Sequence, residues 1–181
     1  MARKLQKKER KLLTILLFLI KFNLLAIPMY LVIYFDLSFP PLQNFLATLT
    51  KNSLALLGYP AAQEGSSIIT ANKNQFYSIE VSWDSTGWKS MYALLALAIA
   101  TPIKSLKKKL KFIGIAIPTI FFINFLRIFT TILVALHYGL NYFEIVHTLL
   151  WREGLILAVV LIWGVWLWNE KNNLVVTQIY H

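Results

Sequence analysis

Three residues of this chain carry side chains that could perform acyl transfer together: Ser85, Arg127 and His147. A serine hydroxyl is a nucleophile when a base activates it, and an imidazole titrates near neutral pH. A guanidinium can stabilise the negative charge that develops on an attacked carbonyl. The three residues are far apart in the sequence, so they can act together only if the fold brings them to one place.

Ser85 begins a Ser-Thr-Gly sequence before an apolar run, which is also typical of a helix N-cap. A helix N-terminus supplies free backbone N–H groups and a positive dipole end, and both favour an anionic nucleophile. Gly87 would let a substrate backbone approach closely. Asp84, Trp88 and Asn124 are further candidates for substrate contacts, although solvated carboxylates and interfacial aromatic residues are commoner.

Arg127 lies in an apolar stretch, about 14 Å from its predicted outer end at Leu136. Burying an arginine at that depth costs roughly 2.5 kcal/mol or more, so its side chain should face protein or trapped water. Asn124 and Thr131 fall on the same helical face, and this polar stripe suits the wall of a cavity. The alternative is an arginine bonded to backbone carbonyls or to Glu153.

Two other residues leave further alternatives open. His147 can act as an acid or base, or it can be an interfacial histidine bonded to Glu144 one turn earlier. Lys89 follows Ser85 by one helical turn, a spacing that a Ser-Lys dyad could use. A lysine that extends its ammonium to the membrane interface is the simpler interpretation.

The composition indicates that lipid surrounds most of this chain. Of its 181 residues, 57% are hydrophobic and only 14% charged. The net charge of +10 comes from basic residues beside apolar segments, which argues for a membrane and against nucleic acid. The length suits a single domain over 1–181. With no cysteine, neither disulfides nor cysteine-ligated metals are expected, and nothing in the pattern requires a metal or cofactor.

We predict an all-α integral membrane bundle of at least four transmembrane helices. The predicted spans are Leu12 to Phe35, Thr86 to Ile103, Phe112 to Leu136, and His147 to Trp168. The segment 36–85 is predicted to be largely extracytoplasmic, with an interfacial or re-entrant helix at 42–58 and a β-hairpin over 67–83. Lysine and arginine cluster before the first span and after the second, so both termini should be cytoplasmic.

This topology places the three chemistry-bearing residues on one membrane surface. Ser85 starts the second span on the outer side, His147 starts the last span on the same side, and Arg127 lies in the outer half of the third. We therefore predict one water-accessible pocket close to the external leaflet.

These residues also match a known pattern. The segment Trp83-Asp-Ser-Thr-Gly-Trp-Lys-Ser-Met91, the sequence Asn124-Phe-Leu-Arg127 and His147 resemble the exosortase/archaeosortase family of membrane transpeptidases. The family signature is a nucleophilic cysteine followed by a small residue and glycine, a membrane arginine in an Asn-x-x-Arg setting, and a histidine. Ser85 stands at the cysteine position. Either a cysteine-to-serine change disables the enzyme, which we favour, or the chain is a natural serine-bearing relative.

The resemblance implies a cysteine-type protease and transpeptidase at the outer face of the plasma membrane. It would cleave precursor proteins at a C-terminal sorting signal and transfer them to an acceptor, with membrane lipid as a candidate acceptor. Separately from the resemblance, we expect a monomer. Residue 85 would attack, His147 would move protons, and Arg127 would stabilise the oxyanion. The alternatives are an intramembrane serine hydrolase that uses Ser85 with His147 or Lys89, and a non-enzymatic transporter or assembly partner.

Overall fold

A computed structural model describes residues 2–72, 75–103, 105–139, 142 and 154–179. Its helices are α1 (Ala2–Tyr34), α2 (Pro40–Leu56), α3 (Trp88–Ala100), α4 (Leu106–Tyr138) and α5 (Leu155–Ile179). The strands are β1 (Ala61–Glu64), β2 (Ser67–Asn72) and β3 (Gln75–Glu80), and a 3₁₀ turn, Asp84–Thr86, comes before α3. The prediction of a mostly helical chain with a small β-sheet segment is confirmed.

Among the described residues, two helices are long and apolar enough to cross a bilayer, at Lys8–Tyr34 and Leu106–Tyr138. Only 6% of the most apolar stretch of the first is buried within the protein, against 44% for the second. Large apolar side chains exposed along a whole helix are unfavourable in water and ordinary in lipid. Of the other predicted spans, α3 has 13 residues, and the start of the fourth lies outside the described residues.

The chain divides into two compact units, each assembled from separate stretches. The first comprises Met1–Leu37, Tyr92–Ile117 and Leu161–His181, and the second comprises Ser38–Met91 and Pro118–Val160. In the first unit, Phe112 stacks on Trp166 with ring centroids 4.1 Å apart. Trp163 donates its indole N–H to the Thr101 hydroxyl over 3.0 Å. Aromatic stacking and a satisfied indole donor therefore join the helices of this unit.

The second unit contains a three-stranded antiparallel sheet in the order β1-β2-β3. The predicted hairpin is confirmed by β2 and β3, which pair from Ser67 opposite Glu80 to Asn72 opposite Gln75. Strand β1 was not predicted, because its Ala-Ala-Gln-Glu sequence lacks the β-branched and aromatic residues typical of strands. A turn at Gly65, which has a φ of +58°, joins β1 to β2.

Helix α2 confirms the helix predicted over 42–58, and it begins with prolines in its first turn, where a missing N–H costs nothing. Its buried residues recur every three or four positions, so one face packs inward: Gln43, Leu46, Ala47, Thr50 and Leu54. That face shares a hydrophobic cluster with the sheet and with α4, formed by Leu46, Ala47, Leu54, Ile68, Tyr77, Val81, Ile128, Ile132 and Leu136. The cluster fixes the end of β3 against α4, where the candidate site lies.

Candidate active site

The segment between β3 and α3 fixes the position of Ser85. The N–H of Val81 donates to the Ser66 carbonyl over 3.0 Å, which extends the sheet pairing one residue beyond β3. The carbonyl of Val81 accepts a hydrogen bond of 3.1 Å from the buried Gln43 side chain. The chain then enters the 3₁₀ turn, where the Ser85 N–H donates to the Ser82 carbonyl over 3.0 Å. Ser85 is therefore a half-buried residue on a tight turn with both flanks held.

Two side chains of α4 bind the backbone carbonyl of Ser85. Asn124 donates from Nδ2 over 3.0 Å, and Arg127 donates from Nη2 over 2.9 Å. Both side chains are buried, with 0% and 7% of their surface exposed. Arg127 thus binds a backbone carbonyl, as one of the alternatives from the sequence anticipated, and that carbonyl belongs to the candidate nucleophile.

The polar stripe predicted on α4 is present, but its members differ in what they contact. Asn124 and Arg127 reach Ser85, whereas the buried Thr131 hydroxyl donates to the Arg127 carbonyl over 2.7 Å, within its own helix. Glu153, the other partner considered for Arg127, lies outside the described residues, and so does His147. The structure therefore brings together Ser85, Asn124 and Arg127, and the placement of His147 stays a prediction.

A small pocket opens beside Ser85 and Arg127, with a free volume of about 40 Å³. The remaining lining residues come from the end of the sheet and from α4: Ile79, Glu80, Val81, Ile128, Thr131 and Ile132. This volume holds a few water molecules or a small chemical group. A larger molecule bound at this point would therefore place only one small group in the pocket and extend over the surrounding surface.

Arg127 keeps unused hydrogen-bonding capacity. Its Nη1 atom is buried and has no partner among the described residues, and the same is true of Asn124 Oδ1. Within the described part of the chain the ion pairs are Lys89 with Asp84 and Lys108 with Glu170, so no described carboxylate forms an ion pair with Arg127. A buried cation without a counter-charge is costly, and an anion that forms beside it would be strongly stabilised.

Position 87 requires glycine for a reason that only the structure reveals. Its φ of +76° lies in the left-handed region, and a Cβ at this position would meet Asn124 Cγ at 2.8 Å. The expected close approach therefore exists, but in the structure the approaching group is the Asn124 side chain. A substrate contact at Gly87 stays a prediction.

The other residues of the turn pair with one another. Trp88 is 9% exposed and stacks on Trp83, with centroids 5.2 Å apart and planes 14° apart. Lys89 Nζ lies 2.8 Å from Asp84 Oδ1. An ammonium has three donors and no acceptor, so Lys89 in this ion pair cannot take a proton from Ser85, which weighs against the Ser-Lys dyad. Substrate contacts stay predictions for Asp84, Trp88 and Asn124.

Sequence reasoning missed Ser82. Its hydroxyl lies 2.8 Å from the hydroxyl of Ser85. The available signal was a second serine three residues before Ser85 in a segment that has to turn sharply, a spacing at which side chains in a 3₁₀ turn lie on the same side.

Comparison with protein families gives the class. A model of the transmembrane exosortase family matches residues 8–167. The chain therefore belongs to this family, a membership that supports a membrane-embedded protease or transpeptidase role in general. No curated protein and no solved structure matches the chain.

Proposed function

We propose that the chain is a membrane transpeptidase whose nucleophile position is residue 85 and whose oxyanion-stabilising group is Arg127. The observation that carries the proposal is the pair of hydrogen bonds from Asn124 and Arg127 to the carbonyl of Ser85. They tie a buried cation to the backbone of the turn that presents the nucleophile. Both Ser85 and Arg127 also line the same pocket.

The proposed reaction has two acyl transfers. A cysteine thiolate at position 85 attacks the scissile carbonyl, a C–S bond forms, and the C–N bond breaks as the leaving amine takes a proton from His147. The second nucleophile, an amine or hydroxyl of the acceptor, loses its proton to His147 and displaces the thiolate from the thioester. In both steps the N–H groups of Arg127 not used by the Ser85 carbonyl stabilise the oxyanion.

Serine at position 85 should suppress this chemistry. A hydroxyl is a much weaker nucleophile than a thiolate unless a strong base is placed against it. The described partner of the Ser85 hydroxyl is the hydroxyl of Ser82, which is no general base at neutral pH. We favour a cysteine-to-serine change that disables the enzyme over a natural serine-bearing relative.

The substrate and topology follow from the family resemblance and from the charge pattern. The substrate is a secreted precursor that ends in a short motif, an apolar helix and a basic tail. Four spans with both termini in the cytoplasm would place the pocket at the outer leaflet, where such a motif emerges from the membrane. A lipid amine or another nucleophile at that surface would accept the acyl group.

The test restores the thiol. The Ser85→Cys variant is expressed in membranes with precursors that carry a tripartite C-terminal signal, and cleavage is followed by the change in precursor mass. We expect cleavage by Ser85→Cys, none by the unaltered chain, and a rate at least about a hundredfold lower when Ser85→Cys is combined with Arg127→Ala or His147→Ala. Lys51→Ala, on the half-buried side of α2, serves as the matched loss of a cation.

Two results would contradict the proposal. One is cleavage that is equal in Ser85→Cys and in its combination with Arg127→Ala. The other is labelling of the unaltered chain at Ser85 by a fluorophosphonate probe, which would identify a working serine hydrolase.

A further inference from the structure

The backbone next to Ser82 is fixed by hydrogen bonds to the sheet and to α2. It follows Val81, whose N–H and carbonyl are both bonded, to Ser66 at 3.0 Å and to Gln43 at 3.1 Å. Val81 itself is 1% exposed in the core of its unit. The backbone that carries Ser82 therefore cannot move without breaking the sheet end, although the Ser82 side chain is exposed.

Three contacts join Ser82 to Ser85. The Ser85 N–H donates to the Ser82 carbonyl over 3.0 Å and also to the Ser82 hydroxyl oxygen over 3.3 Å. The two hydroxyl oxygens lie 2.8 Å apart. A hydroxyl has one proton and two lone pairs. The backbone N–H of Ser85 occupies one of these lone pairs on Ser82, so either hydroxyl can donate to the other in this chain. A thiolate at position 85 can only accept, and the Ser82 hydroxyl would then be the donor.

We propose that Ser82 is a positioning residue, which donates a hydrogen bond to the side chain of residue 85 and stabilises the anionic form of the nucleophile. This inference rests on the proposed function, because it assigns Ser82 a role at the same site. Residue 85 would then be held at two points. Asn124 and Arg127 hold its carbonyl at 3.0 and 2.9 Å, and Ser82 holds its side chain.

Such a donor changes the ionisation of a thiol as well as its position. A hydrogen bond to a charged group favours the charged form, so removing the donor raises the pKa of the thiol. A serine that only completes a local turn would affect folding stability and leave ionisation unchanged. The two roles therefore differ in a measurable quantity that does not require any substrate.

The experiment uses the full chain in detergent with Ser85→Cys. Because the chain has no cysteine of its own, this thiol is the only one present. The rate of alkylation by iodoacetamide is measured by mass spectrometry across pH, alone and combined with Ser82→Ala, Ser82→Thr or Ser78→Ala. Ser78 is an exposed serine on β3 and provides the matched control.

We expect Ser82→Ala to raise the pH midpoint of alkylation by roughly one unit, since a hydrogen bond to a charged group is lost. Ser82→Thr, which keeps the hydroxyl, and Ser78→Ala should leave the midpoint where it was. An unchanged midpoint in Ser82→Ala, or equal shifts in Ser82→Ala and Ser78→Ala, would overturn the inference.

The result separates this inference from the proposed function. A midpoint shift without any precursor cleavage by Ser85→Cys would support the role of Ser82 and contradict the transpeptidase. Cleavage without a midpoint shift would support the transpeptidase and contradict the role of Ser82. A thermal unfolding measurement on each variant confirms that the compared thiols sit in folded protein.

Discussion

Two cations on helix α4 have opposite surroundings. Lys108, in the first turn, is about half exposed and lies 2.6 Å from Glu170 Oε2. Arg127, five turns later, is 7% exposed, donates to the Ser85 carbonyl and has an N–H group without a described partner. Lys108 has a carboxylate partner and is about half exposed, whereas Arg127 is buried and has no ion-pair partner among the described residues.

The comparison distinguishes a cation that is already paired with a carboxylate from a cation that is still able to stabilise an anion. An ion pair that solvent reaches on one side, such as Lys108 with Glu170, contributes little to stability, and its two charges already balance each other. A buried guanidinium without a counter-charge raises the free energy of the resting protein, and it lowers the free energy of any state in which an anion forms beside it. Arg127 meets the second condition among the described residues, and we therefore propose it as the group that stabilises the oxyanion.

The largest expected effect comes from removing the buried cation. In the Ser85→Cys background, Arg127→Ala should lower the rate of precursor cleavage by about 10²- to 10³-fold, the cost of losing an oxyanion donor. Arg127→Lys should restore little of the cleavage rate, because an ammonium lacks the planar guanidinium geometry that lets one side chain donate to the Ser85 carbonyl and to the oxyanion at once. Lys108→Ala should leave the rate within about twofold. Equal losses of cleavage rate in Arg127→Ala and Lys108→Ala would show that the buried cation has no special role in the reaction.

The next effect is on stability. Gly87→Ala adds a methyl group 2.8 Å from Asn124 Cγ at a φ of +76°, so it should lower the free energy of unfolding by about 2 kcal/mol or more. Gly164→Ala, on α5 with open space around it, should be neutral or slightly stabilising because alanine favours helix. Chemical unfolding in mixed micelles measures both. Equal stability of the two variants would show that Gly87 does not pack against Asn124.

Asn124→Ala should have a smaller effect on catalysis than Arg127→Ala. It removes one of the two donors to the Ser85 carbonyl and leaves the cation in place. In the Ser85→Cys background we expect cleavage to fall about tenfold, corresponding to one net hydrogen bond. Asn44→Ala on the exposed side of α2 is the control. A loss as large as that of Arg127→Ala would mean that positioning of the turn, not charge, dominates catalysis.

The smallest effect is expected at the paired cation. Glu170→Gln breaks the ion pair with Lys108 and should lower the free energy of unfolding by less than about 1 kcal/mol, with the difference shrinking further at high salt. Unfolding at two salt concentrations checks it. A loss of several kcal/mol would contradict this expectation and show that the Lys108–Glu170 pair is important for the stability of the folded chain.

Much of the site could be predicted because its members carry strong local signals. An arginine inside an apolar run demands a partner, and Asn124 one turn earlier shares its helical face. Ser85 could be placed near them only through membrane topology, since the sequence separation between the residues says nothing about distance. The apolar runs and the β2–β3 hairpin were likewise readable from period and turn residues. Helix α2 begins at Pro40, two residues before its predicted start, because proline is accommodated in a first helical turn.

The rest depends on tertiary contacts that leave no local pattern. The weak strand β1 forms because β2 offers it an edge to pair with. Gly87 reads as a generic flexible residue until the position of Asn124 is known. The Ser82 hydroxyl gains its importance from a turn geometry that many serine-containing sequences could adopt.

The most direct test of the central claim is intact-protein mass spectrometry of the Ser85→Cys chain isolated from membranes that contain precursor. The account predicts a hydroxylamine-sensitive acyl adduct at position 85 that disappears when Arg127→Ala is added. A folded Ser85→Cys chain that cleaves precursor without ever carrying the adduct, or that carries it equally with Arg127→Ala, would contradict the account.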